Sequence, residues 1–152
     1  MYVYGKNVAK ELLKNDRKIK RVVLANNFND SDIINLLNTN NIKISYEEKY
    51  KLDRMEKGNH QGIILEIEDY KYITDKQMLS ELPQNPFIVI LDHIEDPHNF
   101  GAIIRTCEAA GAHYIIIPKD RSVSVNSTVM KTSVGALDNV KIVEVTNLNN
   151  II

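Results

Sequence analysis

The sequence predicts an α/β fold built as two small units in series. Three observations carry this. Short β-branched runs alternate with segments of helical apolar spacing along the whole chain. A polar stretch ending in Pro83-Gln84-Asn85-Pro86 interrupts that alternation near the middle. After it, strand, helix, strand, helix and strand follow with short connections, a pattern that implies parallel βαβ units with right-handed crossovers.

The bulk properties narrow the function classes. At 152 residues, 43% hydrophobic and 26% charged, the chain can bury a sizeable core in one domain or two small ones. No run approaches the roughly 18 continuous apolar residues of a membrane span. The opening Met1-Tyr2-Val3-Tyr4-Gly5-Lys6 has no apolar signal segment. Cys107 is the sole cysteine, so no internal disulfide framework exists. A cytoplasmic protein is the expectation. Net charge is −1, with 12 Lys/Arg against 11 Asp/Glu in residues 1–70 and 7 against 9 in 71–152. That balance neither demands nor excludes an RNA partner.

In the first unit, residues 7–15 place Val8, Ala9, Leu12 and Leu13 at helical spacing. Arg21-Val22-Val23-Leu24 suits a buried strand. Asp30 or Ser31 can cap a helix whose core side is Ile33, Ile34 and Leu37. Asn40-Asn41 punctuates the chain before a strand over 42–45 and a short helix over 46–55. Gly62-Ile63-Ile64-Leu65-Glu66-Ile67 reads as the clearest strand of this half. The expected organisation is a domain over 1–70, a linker over 71–85 holding only a weak helix around 76–82, and a second domain over 86–152.

The second unit begins with Phe87-Ile88-Val89-Ile90-Leu91, a continuous apolar run of the kind found in strands covered on both faces. A polar loop over 92–99 leads into a helix over 100–110 with Phe100, Ile103, Ile104 and Cys107 on one stripe, stopped by Gly111. A strand over 113–117, a helix over 126–133 and a strand over 140–145 complete the pattern.

The chemistry sits at the carboxyl end of the 87–91 strand, where open α/β sheets bind ligands. Asn99 can cap the helix, and Gly101 lets another backbone or a ligand approach its first turn. Arg105 falls about 150° from the centre of the apolar stripe at 3.6 residues per turn, free to meet phosphate or ribose. Taken singly, Asn99 reads as well as a plain cap and Arg105 as a solvated surface arginine. Asp92, His93, Asp96 and His98 crowd one short loop without a supporting ligand elsewhere, so no metal site is expected. No G-x-G-x-x-G loop follows Leu91, which argues against a Rossmann nucleotide module.

The 22-residue string Leu91 to Ala112 as a whole is more specific. It resembles the first signature motif of the SpoU (TrmH-like) branch of the SPOUT RNA ribose 2′-O-methyltransferases. Asn99, Gly101 and Arg105 stand at that motif's Asn, Gly and Arg positions, and Cys107 stands where alanine is common. Tyr4-Gly5-x-x-x-Val8 and His60-Gln61-Gly62-Ile63 resemble the opening and closing marks of the family's substrate-binding domain. Arg121-Ser122 and the segment from Val129 to Leu137, with Lys131, Ser133 and Gly135, resemble a further family segment written K-x-S-x-GA.

The resemblance implies a ribosomal-protein-like α/β domain followed by the first half of a parallel-sheet, trefoil-knotted catalytic domain. It implies Arg105 and Asn99 as catalytic residues, the arginine orienting or activating a ribose 2′-hydroxyl. Electrostatic help to a developing alkoxide asks less of an arginine than general-base duty. It implies RNA contacts at Tyr4, His60, Gln61, Lys131 and Arg121, and structural roles for Gly5, Gly62, Gly101 and Gly135. For His60 a hydrogen-bonded loop histidine, and for Lys131 a solvated helix lysine, are the competing readings. S-adenosylmethionine is the implied methyl donor, ribosomal or transfer RNA the partner, and a homodimer the implied assembly. The family's later Gly-Ala-Glu-Gly-like and Ser-Leu-Asn-Val-Ser-like motifs, which form the donor pocket and the knot, are not found before Ile152. No cofactor-binding residue is therefore expected in this chain, and the chain alone is expected to be inactive. Sheet residues such as Ile115, Ile117 and Val143 are expected to lose cover. A non-catalytic RNA-binding protein or remnant is the alternative.

Overall fold

The computed structural model describes residues 1–15, 18–133 and 135–152. The chain divides into two compact units, Met1–Asp69 and Tyr70–Ile152.

The first unit is a four-stranded mixed sheet with helices on its faces. Its elements in order are β1 (Tyr2–Tyr4), α1 (Lys6–Lys14), β2 (Ile19–Ala25), α2 (Ser31–Thr39), β3 (Ile44–Glu47), α3 (Lys49–Met55) and β4 (Ile63–Ile67). The strand order is β1-β4-β2-β3. β4 runs antiparallel to both β1 and β2, while β2 and β3 are parallel. Alternation along the pleat divides the core. Val23, Ala25 and Ile64 pack with Leu52 of α3. Val22, Leu24, Ile63 and Leu65 point the other way and are fully buried. Asp30 caps α2 by accepting from Ile33 N–H at 3.1 Å, as its residue type predicts. The strand β1 has no counterpart in the sequence reading, because three residues are too few to show a period.

The second unit is a three-stranded parallel sheet, β5-β6-β7. It comprises α4 (Asp75–Ser80), β5 (Ile88–Ile90), α5 (Pro97–Ala109), β6 (Tyr114–Pro118), α6 (Ser127–Ser133), a 3-10 turn (Ala136–Asp138), β7 (Lys141–Val145) and a second 3-10 turn (Leu148–Asn150). The expected strand-helix repeats over 87–145 are present. One sheet face, with Ile115, Ile117 and Ile142, packs on Phe100, Ile104, Cys107 and Val129 of α5 and α6. The other, with Tyr114, Ile116, Val143 and Val145, packs on Met78 of α4 and the partly buried Leu148 and Ile151.

Two expectations are corrected here. Residues 71–85, expected as a linker, fall within the second compact unit. Tyr70 and Tyr72 stack edge to face, with ring centroids 5.2 Å apart. Their hydroxyls accept backbone N–H groups, Tyr72 from Val125 at 2.7 Å and Tyr70 from Ile142 at 3.0 Å. Ile73 bridges to Val143 in parallel, and Met78 is 2% exposed. A polar segment with scattered apolar residues looks like a tether in one dimension, but those few residues meet an open sheet edge and face. Ile115, Ile117 and Val143 do not lose cover either; each is at most 1% exposed. Helices α5 and α6 and the segment 70–82 supply that cover. The exposed apolar residues of this unit lie elsewhere: Leu79 of α4 is 56% exposed, Phe87 just before β5 43%, Ile90 of β5, a sheet edge, 41%, and Ile152 84%. A continuous apolar run therefore does not make β5 a strand covered on both faces.

Tyr72 carries a testable consequence. Burial pushes its hydroxyl above the ordinary tyrosine pKa. Its stabilising contribution is thus fully present below the unfolded value near 10 and is lost as pH rises through the folded one. Tyr72→Phe leaves the Val125 N–H without its acceptor and should cost about 1–3 kcal/mol. Chemical denaturation at neutral pH should show that loss, and the variant should lose less than the parent when pH is raised past 10.

Candidate functional site

The loop after β5 and the first turns of α5 hold the expected catalytic residues. Asp96, not Asn99, caps α5. Its carboxylate accepts from His98 N–H at 2.8 Å and Asn99 N–H at 3.3 Å. Pro97 then occupies the first helical position, where its missing N–H costs nothing. The helix so begins three residues before the expected start, because the Asp-Pro pair is a stronger start signal than a later Asn. Asn99 lies inside the first turn with an exposed side chain. In the same loop His93 Nδ1 lies 2.6 Å from Asp92 Oδ1. Among the described residues no three His, Cys, Asp or Glu groups are placed to hold a metal ion.

Arg105 projects from the side of α5 opposite Phe100, Ile104 and Cys107, all of which are buried. It lines a shallow cleft of about 560 Å³ with Ala102, Thr106, Glu108, Ala109, Ser133 and Ala136. Two walls of that cleft come from α5 and from the end of α6 with the 3-10 turn after it. Gly101 sets how near they approach. A Cβ there would overlap Thr132 Oγ1 and come within 2.6 Å of Thr132 Cβ. The glycine thus admits the neighbouring helix α6, one of the two partners its residue type suggested. Cys107 lies on the buried side, and burial raises its thiol above the ordinary value.

Asn99 is not among the residues lining the Arg105 cleft. Six residues apart on one helix, the two side chains point about 120° apart and sit about 9 Å apart along the axis. Lys131 is exposed on α6, and Arg121 is exposed in the loop after β6 with φ 57°. Gly135 has φ 79° and opens the 3-10 turn that contributes Ala136.

In the first unit, the marks at the two ends of the sequence segment converge. Tyr4 pairs with Ile64, which brings Gly5 beside the loop 58–62. His60 is buried at 5% exposure. Its Nδ1 accepts Gly62 N–H at 2.9 Å, so its Nε2 carries the proton toward Asp53 Oδ1 at 2.6 Å. Both ring nitrogens of His60 are thus engaged within the protein, while the residue also lines the cleft described below. Tyr4 is likewise packed, its phenol ring filling the space a side chain at Gly58 would need. Gln61 takes a left-handed backbone, φ 55°. Its Oε1 accepts Lys6 N–H at 2.8 Å, capping α1 where Gly5 has no side chain to do so. Gly5 and Gly62, at φ 97° and 80°, take backbone conformations that favour glycine.

These residues build one wall of a cleft of about 500 Å³ that sequence reasoning missed. It is lined by Lys6, Phe28, Asn29, Lys49, Asp53, Asn59 and Gln61, among others. Lys6 Nζ lies 5.8 Å from the centroid of the Phe28 ring. The signal was not in any one motif, since the lining comes from four separate segments.

Residues 86–152 match the family model described as SpoU rRNA Methylase family, and residues 2–73 match the one described as RNA 2′-O ribose methyltransferase substrate binding. The chain belongs to the SpoU methylase family. This SpoU chain is 41% identical over 153 residues to a Bacillus subtilis protein carrying the name TrmH family tRNA/rRNA methyltransferase YacO, covering 97% of this chain and 61% of that protein. It is 33% identical over 154 residues to the 23S rRNA (guanosine-2′-O-)-methyltransferase RlmB of Pseudomonas syringae, covering 96% of this chain and 61% of that one. The chain thus spans about three-fifths of the length of these relatives. In fold it is similar to the SpoU methyltransferase AviRb from Streptomyces viridochromogenes in complex with AdoMet, with TM-score 0.72, 18% identity, and coverage of 99% of this chain and 56% of that one. An rRNA methyltransferase from Sinorhizobium meliloti gives TM-score 0.70 at 21% identity, with 98% and 55% covered.

Two substitutions test these placements. Gly101→Ala gains about 1 kcal/mol of helix propensity, yet the overlap with Thr132 should cost more, about 1–3 kcal/mol. Net destabilisation in a urea titration, partly recovered by adding Thr132→Gly, is the expected result. His60→Ala leaves Gly62 N–H unsatisfied and should cost about 1–3 kcal/mol. Unchanged stability with reduced RNA affinity would instead place the ring at the ligand.

Proposed function

We propose that this chain serves the methylation of a ribose 2′-hydroxyl in ribosomal or transfer RNA, with S-adenosylmethionine as methyl donor. The observation that carries this is the tandem match: a substrate-binding model over residues 2–73, then a methylase model over 86–152. The unit 1–69 grips the RNA, and the unit 70–152 presents Arg105 to the ribose.

Arg105 is exposed on the wall of its cleft, with no hydrogen bond or ion pair among the described residues. Arginine is ordinarily a positive group with five donors in a planar fork. Such a group can hold the ribose hydroxyl and stabilise the negative charge that develops on its oxygen as the proton leaves. The small neighbours Ala102, Ala109, Ser133 and Ala136 leave room for a sugar against the helix. Asn99, facing another side of α5, is assigned to the RNA strand beside the reacting ribose. Lys131 and Arg121 are assigned to the phosphate backbone, where cations position the strand without reading bases.

The donor supplies an electrophilic methyl group when bound. Among the described residues no buried side-chain polar atom lacks a partner that a nucleoside would satisfy. No residue of this chain is assigned to the donor, and no step is routed through it. The active protein is read as a cytoplasmic homodimer on family resemblance. No helix among the described residues is long and apolar enough to cross a membrane.

The test is a methyl-transfer assay on the full-length protein. Arg105→Ala should lower methyl incorporation into RNA at least about a hundredfold, the scale of losing one charge-stabilising donor. RNA affinity should stay within about twofold. Unchanged incorporation would remove Arg105 from the reaction.

A further inference from the structure

We infer that the cleft of the first unit holds a single unpaired nucleotide of the RNA, its base among the amides and its phosphate at the lysines. This rests on the reading of the chain as RNA-directed and deepens it by naming a subsite and the form of RNA it accepts.

The lining decides the chemistry. Lys6 and Lys49 supply two cations, while Asn29, Asn59 and Gln61 supply amides. Amides offer donors and acceptors together, as a base edge requires. Gln61 Oε1 is committed to Lys6 N–H, which leaves its Nε2 as a donor. Asp53 adds an acceptor carboxylate, already held by His60 at 2.6 Å. A bare multivalent anion would be repelled by that carboxylate and would not need the amides. A neutral base carrying a phosphate uses the amides, the carboxylate and the lysines together.

The size and construction point the same way. A volume of about 500 Å³ has room for one nucleotide within the cleft. A paired base hides its hydrogen-bonding edge, so sequence-reading contacts to RNA fall on unpaired nucleotides. The wall is also rigid. His60 ties the loop 58–62 through both ring nitrogens, and Gln61 is held in a left-handed backbone that ordinarily costs a non-glycine residue. Lys6 is held on one side by the Phe28 ring and on the other by Asp30, 3.8 Å away. Preorganisation of this kind lowers the ordering cost of binding.

The experiment is fluorescence anisotropy on the full chain, using a labelled RNA hairpin with an unpaired loop and a fully paired duplex of the same stem. The hairpin should bind about tenfold tighter, the scale of a few base-edge hydrogen bonds. Lys6→Ala with Lys49→Ala should weaken hairpin binding and reduce the salt slope by about two, one for each phosphate contact. Asn29→Ala with Asn59→Ala should abolish the hairpin preference and leave the salt slope in place. All four residues are exposed or partly exposed, and a thermal melt confirms that each variant folds. Equal binding of hairpin and duplex overturns the proposal. So does a loss of salt slope on Lys20→Ala with Lys43→Ala, lysines of a different cleft, with no loss on changing Lys6 and Lys49. Tighter binding of a free nucleoside monophosphate than of the hairpin overturns it as well. Those failures leave the methylation reading standing. Loss of that reading in the Arg105 assay, with hairpin preference intact, leaves this subsite standing.

Discussion

The approach of α6 to α5 at Gly101 is the constraint on which the second unit's site depends. One side chain at that position would meet Thr132, and the two helices would have to separate. Their buried faces, Phe100 and Ile104 on one and Val129 on the other, together cover Ile115, Ile117 and Ile142 of the sheet. Separation would therefore both open the core and pull Ser133 and Ala136 away from Arg105. Packing and site geometry are set by the same contact. The cleft is shallow because its walls are small residues on closely packed elements.

The first unit solves a related problem with hydrogen bonds in place of close packing. A loop that lines a polar cleft cannot be ordered by apolar burial alone. His60 orders it instead, sinking an imidazole into the protein and spending both nitrogens on Gly62 and Asp53. Gln61 then turns inward to cap α1. Burying a polar ring costs little when each polar atom is matched. Residues that mark the motif in sequence thus order the loop, and the lining is completed by residues outside the motif, Lys6, Asn29, Lys49 and Asn59 among them.

The segment 70–82 joins these units in sequence and belongs to the second in structure. Two tyrosine hydroxyls replace partners that the backbone of Val125 and Ile142 would otherwise lack. Met78 fills the sheet face that α5 and α6 leave open. A parallel sheet needs cover on both faces, and here a polar-looking stretch provides part of it.

The sequence by itself determined most of the element types, though not the three-residue β1, and with them the parallel order of the second sheet and the exposed side of α5 that carries Arg105. Those follow from local periodicity and from turn and cap chemistry, which act over a few residues. Even there the cap passed from Asn99 to Asp96, because a proline one position on favours the earlier start. Tertiary structure alone decided which faces are covered and that β5 is an edge. It alone assembled the amide and lysine cleft. Each of these depends on groups far apart in the chain meeting in space, and no window of sequence contains both partners.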